Sequence, residues 1–225
     1  VEDLTIPENT IIEFGSNESL LIESDTPITL TVNGELVIAN NKNNNNNDFK
    51  GIDIQKGHTL VVNGTITFGE IINSSVGIEL NTEKTPLGQV GADQPLATLH
   101  VNNGGKIIFD KIGSKSTGIK VNTSSYMLIE GEIQIKDIQG GKGIHSDATL
   151  SDGSTELTTF QQISIINDGA INIDNIQDDS VETTSGIYMS GGFMNLGPVT
   201  PAHQVSEGNI TIKNVTHTGN GGVVN

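Results

Sequence analysis

Short runs of alternating aliphatic and polar residues recur along the chain in a fixed frame. Six glycines anchor it: Gly34, Gly64, Gly105, Gly131, Gly169 and Gly208. The second residue after each anchor is Leu36, Ile66, Ile107, Ile133, Ile171 and Ile210, and the fourth is Ile38, Phe68, Phe109, Ile135, Ile173 and Ile212. This period of two marks a strand with one buried face. The seventh position holds Ile71, Ile112, Ile138, Ile176 and Val215 in the last five copies, whereas Asn41 breaks it in the first and opens the Asn-rich stretch 40–47.

A second marker, a glycine followed by Ile or Val, trails each anchor: Gly51-Ile52, Gly77-Ile78, Gly118-Ile119, Gly143-Ile144, Gly186-Ile187 and Gly222-Val223. Each predicts another short strand. A third precedes the anchors, as Leu30-x-Val32, Leu60-x-Val62, Leu99-x-Val101, Met127-x-Ile129 and Ile163-x-Ile165. One unit therefore holds three strands and three turns, and its shortest version, Gly51 to Gly77, is 26 residues long. A unit of that size cannot bury its own apolar stripe and has to stack on its neighbours. An antiparallel meander would need two-residue hairpins and gives no reason for one residue type to recur at one offset. The expectation is an all-β, right-handed parallel β-helix of three-strand coils, the hand following from the crossover rule for parallel strands. Six coils at about 4.8 Å each make a shaft of roughly 29 Å.

Outward positions of stacked coils also align, so opposite charges should alternate along them. The fifth residue after the anchor runs Asp110, Lys136, Asp174, Lys213, and the sixth runs Glu70, Lys111, Asp137. Both alternate in sign. Asn33, Asn63, Asn102 and Asn167 near one turn fit either an amide ladder or ordinary turn chemistry.

Marker-to-anchor distances vary, and three of the five carry extra residues rich in Gly, Pro, Ser and Thr, within Thr82–Thr98, His145–Gln162 and Tyr188–Ser206. They are expected as loops on one edge, and such insertions in solenoids often gather on a binding face. Binding candidates on them are Lys84, Gln89, Asp93, Gln94, Asp152, Glu156, Tyr188 and His203. Residues 1–31 fall outside the template and are expected to form an N-terminal cap, with coils over 32–225. The last residue, Asn225, lies inside a coil's third strand, so the natural protein is expected to continue with further coils.

Composition agrees with this picture. Thirty Ile, 23 Thr, 24 Asn and 27 Gly favour β-branched strands joined by tight turns. Net charge is −16, all 11 basic residues are lysine, and such a chain repels phosphate backbones and anionic lipid surfaces. Nucleic acid is thereby excluded as an expected partner. No stretch is apolar enough for a membrane helix, so the piece is not expected to be membrane-embedded. Without cysteine there is neither a disulfide framework nor a thiolate site. The histidines His58, His100, His145, His203 and His217 share no metal-ligand spacing, and Asp174, Asp178 and Asp179 lack the glycine-punctuated loop of a calcium site. Ser151, Ser154 and Ser164 have no nearby histidine. No metal, cofactor or catalytic residue is expected.

The repeats Gly64-Thr-Ile-Thr-Phe, Gly131-Glu-Ile-Gln-Ile-Lys-Asp-Ile and Gly208-Asn-Ile-Thr-Ile-Lys-Asn-Val, each followed by a Gly-Ile or Gly-Val strand, carry a resemblance. They resemble the passenger domain of Gram-negative type V autotransporter adhesins, among them the large fusobacterial outer-membrane adhesins. That resemblance implies export, display on the cell surface through an outer-membrane barrel absent from this fragment, and adhesion to a protein or glycan receptor on host or bacterial cells. The expected function is a monomeric, rigid rod that presents loops and performs no chemistry. The alternative is a β-helical carbohydrate-active enzyme, a polysaccharide lyase or hydrolase or a tailspike-like domain.

Overall fold

The computed structural model describes residues 3–16, 18–39, 49–81, 95–122, 125–147, 163–177, 184–190, 193–196 and 208–216. Its strands form three parallel sheets, and the chain passes from the first to the second to the third in each coil of which all three strands are described. The first sheet stacks Leu4–Ile6, Thr29–Val32, Thr59–Val62, Ala97–Val101, Ser125–Ile129, Ile163–Asn167 and Phe193–Leu196. The second stacks Ile11–Phe14, Glu35–Ile38, Thr65–Ile71, Lys106–Ile112, Glu132–Ile135, Ala170–Ile173 and Asn209–Ile212, joined by the short pieces Ile138–Gln139, Ile176–Gln177 and Val215–Thr216. In the third lie Leu20–Ile22, Lys50–Ile54, Val76–Leu80, Thr117–Asn122, Lys142–Asp147 and Ser185–Met189. The protein is an all-β parallel β-helix.

The register is the one the repeat dictates. Leu36, Ile66, Ile107, Ile133, Ile171 and Ile210 pair in succession, as do Ile38, Phe68, Phe109, Ile135, Ile173 and Ile212. Side chains of both columns point into one continuous core, where Phe68, Phe109, Ile66 and Ile107 are fully buried. Alternating strand residues face out, so each strand contributes an inner and an outer column.

Steric demand explains the anchor glycines. A Cβ at Gly64 would lie 2.0 Å from the Gly34 carbonyl oxygen, and one at Gly105 or Gly131 would lie 2.0 or 2.2 Å from a carbonyl of the preceding coil. Backbone on one coil seats directly on backbone of the next. The second marker meets both backbone and core. A Cβ at Gly118 or Gly143 would lie 2.6 or 2.3 Å from a carbonyl oxygen of the following coil, and one at Gly51 or Gly77 would also reach 2.7 or 2.4 Å from the rings of Phe68 and Phe109, so glycine there makes room for the inner aromatic pair.

Residues 1–31, expected as a cap, hold three strands that pair in register with the next coil, Leu4 with Leu30, Ile12 with Leu36 and Ile22 with Ile54. They form a terminal coil, and its boundary falls before the strand Thr29–Val32. Thr10 stands where later coils have the anchor glycine, opposite Gly34. The glycine-based frame therefore passes over this coil.

Other expectations need correction. The strand Phe193–Leu196 lies inside the segment read as an insertion; Met194 and Leu196 pair with Ile165 and Asn167, but the segment lacks β-branched residues and its anchor glycine, Gly208, comes only twelve residues later. Consequently two insertions, 82–94 and 148–162, leave at the corner between the third and first sheets, while the third, 197–207, lies at the corner between the first and second. Asn167 is not part of the amide ladder. It pairs with Ile129 in an inner column, is fully buried, donates to the Asn209 carbonyl and accepts from the Gly169 amide. The ladder itself forms among the other three: Asn63 donates to Asn33 Oδ1 at 2.7 Å and Asn102 donates to Asn63 Oδ1 at 2.5 Å.

In the outer columns, Lys136 bonds Asp110 at 2.6 Å and Lys111 bonds Glu70 at 2.7 Å. Higher rungs are carried by amides: Asn175 donates to Asp137 Oδ1 and Asn214 to Asp174 Oδ1, both at 2.6 Å. Asn175 and Asn214 share a left-handed backbone with φ of 53°, which asparagine tolerates better than most residues.

Candidate functional site

Of the residues expected to bind, Lys84, Gln89, Asp93, Gln94, Asp152, Glu156 and His203 lie outside the described residues. Tyr188 is placed, on the outer face of the last third-sheet strand, with 36% of its surface exposed. It completes a column. Pairing runs Leu21, Asp53, Glu79, Lys120, His145, Tyr188 through six successive coils, every one facing outward. That column was legible in the sequence, because its last five members sit two residues after the marker glycines Gly51, Gly77, Gly118, Gly143 and Gly186.

The lower part of the column is a charge network. Lys50 Nζ lies 3.2 Å from both Asp53 Oδ2 and Glu79 Oε2, and Lys120 Nζ lies 3.4 Å from Glu79 Oε1 and 3.3 Å from Asp147 Oδ2. Asn122 adds an amide bond to Glu79 Oε1 at 3.0 Å and another to the Leu80 carbonyl at 3.1 Å. These side chains are nonetheless hidden: Glu79 is 5% exposed, Asp147 7% and Asn122 0%. Burial alone would raise the Glu79 carboxyl, but the Lys120 ammonium, the Asn122 amide and Lys50 together hold it below its ordinary value. Glu79 is therefore an ionised structural anion rather than a proton donor at neutral pH.

The upper part differs. His145 meets the Tyr188 ring edge-on, with centroids 5.1 Å apart at 60°, and Lys142 Nζ lies 4.8 Å from the Tyr188 ring centroid, within cation–π range. Both partners come from the preceding coil, so Tyr188 is held across the gap between two strands. Lys142, Lys120, Glu79 and Asn122 were not expected as site residues, because they lie on the strands and not on the insertions; Asp147 fell within the segment read as an insertion, whose first three residues belong to the strand Lys142–Asp147.

Both insertions at the third-to-first corner are attached beside this surface. The segment 82–94 follows Asn81, two residues beyond Glu79, and 148–162 follows Asp147 itself. In the intervening coil, residues 123–124 alone connect Asn122 to Ser125.

Elsewhere the placed histidines have local partners. His58, 3% exposed, has a ring nitrogen 3.2 Å from each of the Ser24 and Ile28 amides, and His100 Nε2 lies 2.6 Å from Glu130 Oε2. On the second sheet a shallow polar groove of about 340 Å³ runs between Gln134, Lys136, Asn172, Asp174, Thr211 and Lys213. No family model, curated protein or solved structure matches the chain.

Proposed function

We propose that this chain is a fragment of a surface-displayed adhesin passenger of the autotransporter kind: a β-helical rod that holds loops toward a protein or glycan partner on a host or bacterial cell. The observation that carries this reading is the shared departure of segments 82–94 and 148–162 from one corner, two coils apart. They spring from a surface stiffened by backbone pairing and by the network from Asp53 to Asp147. A solenoid of this type supplies stiffness and repeated attachment points, and its insertions vary without disturbing the core. Anchoring through a downstream outer-membrane barrel and a monomeric state belong to the same proposal.

The test replaces 82–94 by the two-residue connection Thr123-Ser124 of the coil that lacks an insertion. Binding of the labelled fragment to epithelial and bacterial cells is expected to fall while the thermal midpoint moves by less than ~4 °C. Undiminished cell binding by the shortened fragment would remove the role of that loop. Release of reducing or unsaturated sugar ends from polysaccharide would instead favour the enzymatic alternative.

A further inference from the structure

Counting charges on the outer face of the third sheet singles out one group. Asp53, Glu79 and Asp147 are bonded to Lys50 and Lys120, not to Lys142. Among the described residues Lys142 has no carboxylate partner, although the chain carries 27 acidic side chains against 11 lysines. Its ammonium instead lies 4.8 Å from the centroid of Tyr188, whose ring is also fixed by His145 and remains 36% exposed. Next to it Met189 is 37% exposed.

An aromatic ring pinned from two sides and open to solvent is a preorganised flat surface. It loses little conformational freedom on binding, which is why tyrosine serves so well at recognition sites. An ammonium beside it without a carboxylate adds a short-range preference for an anion. Extended polyanions are disfavoured by the overall charge of −16. A single carboxylate seated against Lys142 is different, since contact at a few ångströms outweighs charges screened beyond the Debye length of about 10 Å.

We propose that Tyr188, Lys142 and His145 form a subsite for a carboxylate-bearing sugar residue, its ring face on Tyr188 and its carboxylate on Lys142. The shared chemistry is a pyranose carrying one carboxylate, whether sialic acid or a terminal uronate. The proposal deepens the adhesion reading and rests on it for the source of the ligand.

The experiment uses the whole 225-residue chain. Saturation-transfer NMR measures binding of the methyl glycosides of N-acetylneuraminic acid, glucuronic acid and, as the neutral counterpart, glucose. One or both acidic sugars are expected to bind in the millimolar range, at least ~10-fold tighter than methyl glucoside. Tyr188→Ala abolishes the signal, and Lys142→Gln brings acidic and neutral sugars to equal affinity. Which acidic sugar responds identifies the source. Equal binding of the neutral sugar by the unmodified chain, no binding of either acid, or undiminished binding by Tyr188→Ala overturns the proposal. So does an acidic tetrapeptide that binds as well as the sugars. Both substitutions are on the surface, and an unchanged thermal midpoint verifies that the fold persists. Cell binding that survives Tyr188→Ala overturns the subsite and leaves adhesion standing. Sugar binding by a chain that adheres to no cell overturns adhesion and leaves the subsite's chemistry supported.

Discussion

Phe68 and Phe109 lie face to face in the core, ring centroids 4.7 Å apart and planes tilted by 10°. They are successive members of one inner column, so stacking the coils also stacks their rings. Both are fully buried. The neighbouring glycines Gly51 and Gly77 leave their edges clear. Phe109→Ala is expected to cost about 3–5 kcal/mol, from lost transfer energy and the cavity left behind. Gly77→Ala is expected to cost roughly 1–3 kcal/mol by overpacking, because a Cβ 2.4 Å from the Phe109 ring also meets the Gly118 carbonyl at 2.6 Å. Urea denaturation of the two single variants and the double variant checks this. In the double variant the two costs should fall short of adding, since the ring that clashes is gone; strict additivity would contradict the packing described.

Adjacent glycines at the first-to-second corner separate two causes. Gly105→Ala places a Cβ 2.0 Å from the Val62 carbonyl oxygen, a backbone atom that cannot step aside. Gly104 has φ of 89°, and nothing lies within 4 Å of the point where its Cβ would stand, so only backbone conformation opposes substitution there. The expected outcome is a loss of about 1 kcal/mol for Gly104→Ala and a larger one for Gly105→Ala, read as denaturation midpoints.

Lys120 holds two carboxylates at once. Replacing it by Met leaves Glu79 and Asp147, with side chains 7% and 10% exposed, short of a cation, and is expected to destabilise by about 3 kcal/mol at neutral pH. The pH dependence has a definite sign. The Glu79 carboxyl is held below its ordinary value of 4.5, so its contribution is present above that value and is lost as pH falls through the lower folded-state one. Unfolding measured at neutral pH and again below 4.5 should therefore show the gap between the parent chain and Lys120→Met shrinking in acid. A gap that stayed the same in acid would mean that Lys120 supports the fold by packing rather than by charge.

Exposed rungs should behave otherwise. Lys136 and Asp110 are separated by 2.6 Å, yet their side chains are 50% and 49% exposed, and Lys136→Ala is expected to change stability by less than about 1 kcal/mol. The effect should vanish in molar salt, as calorimetry with added sodium chloride would show.

What the sequence disclosed and concealed follows from which positions are sterically constrained. Gly64, Gly105 and Gly131 admit no side chain, and Ile66 and Ile107 must be aliphatic to pack, so they repeat and align plainly. Thr10 stands in place of the anchor glycine, and the coil it belongs to was correspondingly hard to see. Phe193–Leu196 was hidden for another reason, since its anchor Gly208 lies twelve residues beyond Leu196, whereas Gly64 stands two residues after Val62. The outer column from Asp53 to Tyr188 repeats by place and not by residue type. Its chemistry emerges only when the coils are stacked, which brings Lys142 of one coil over the ring of Tyr188 on the next.

Because every coil is joined to the next through parallel pairing, traction along the shaft runs in the direction of the interstrand hydrogen bonds rather than across them. Turns would then peel away singly from an end, starting where pairing is one-sided. The shortest repeat, 26 residues from Gly51 to Gly77, would add ~90 Å of extended chain on release. A shaft built this way lengthens under load while its remaining coils stay intact.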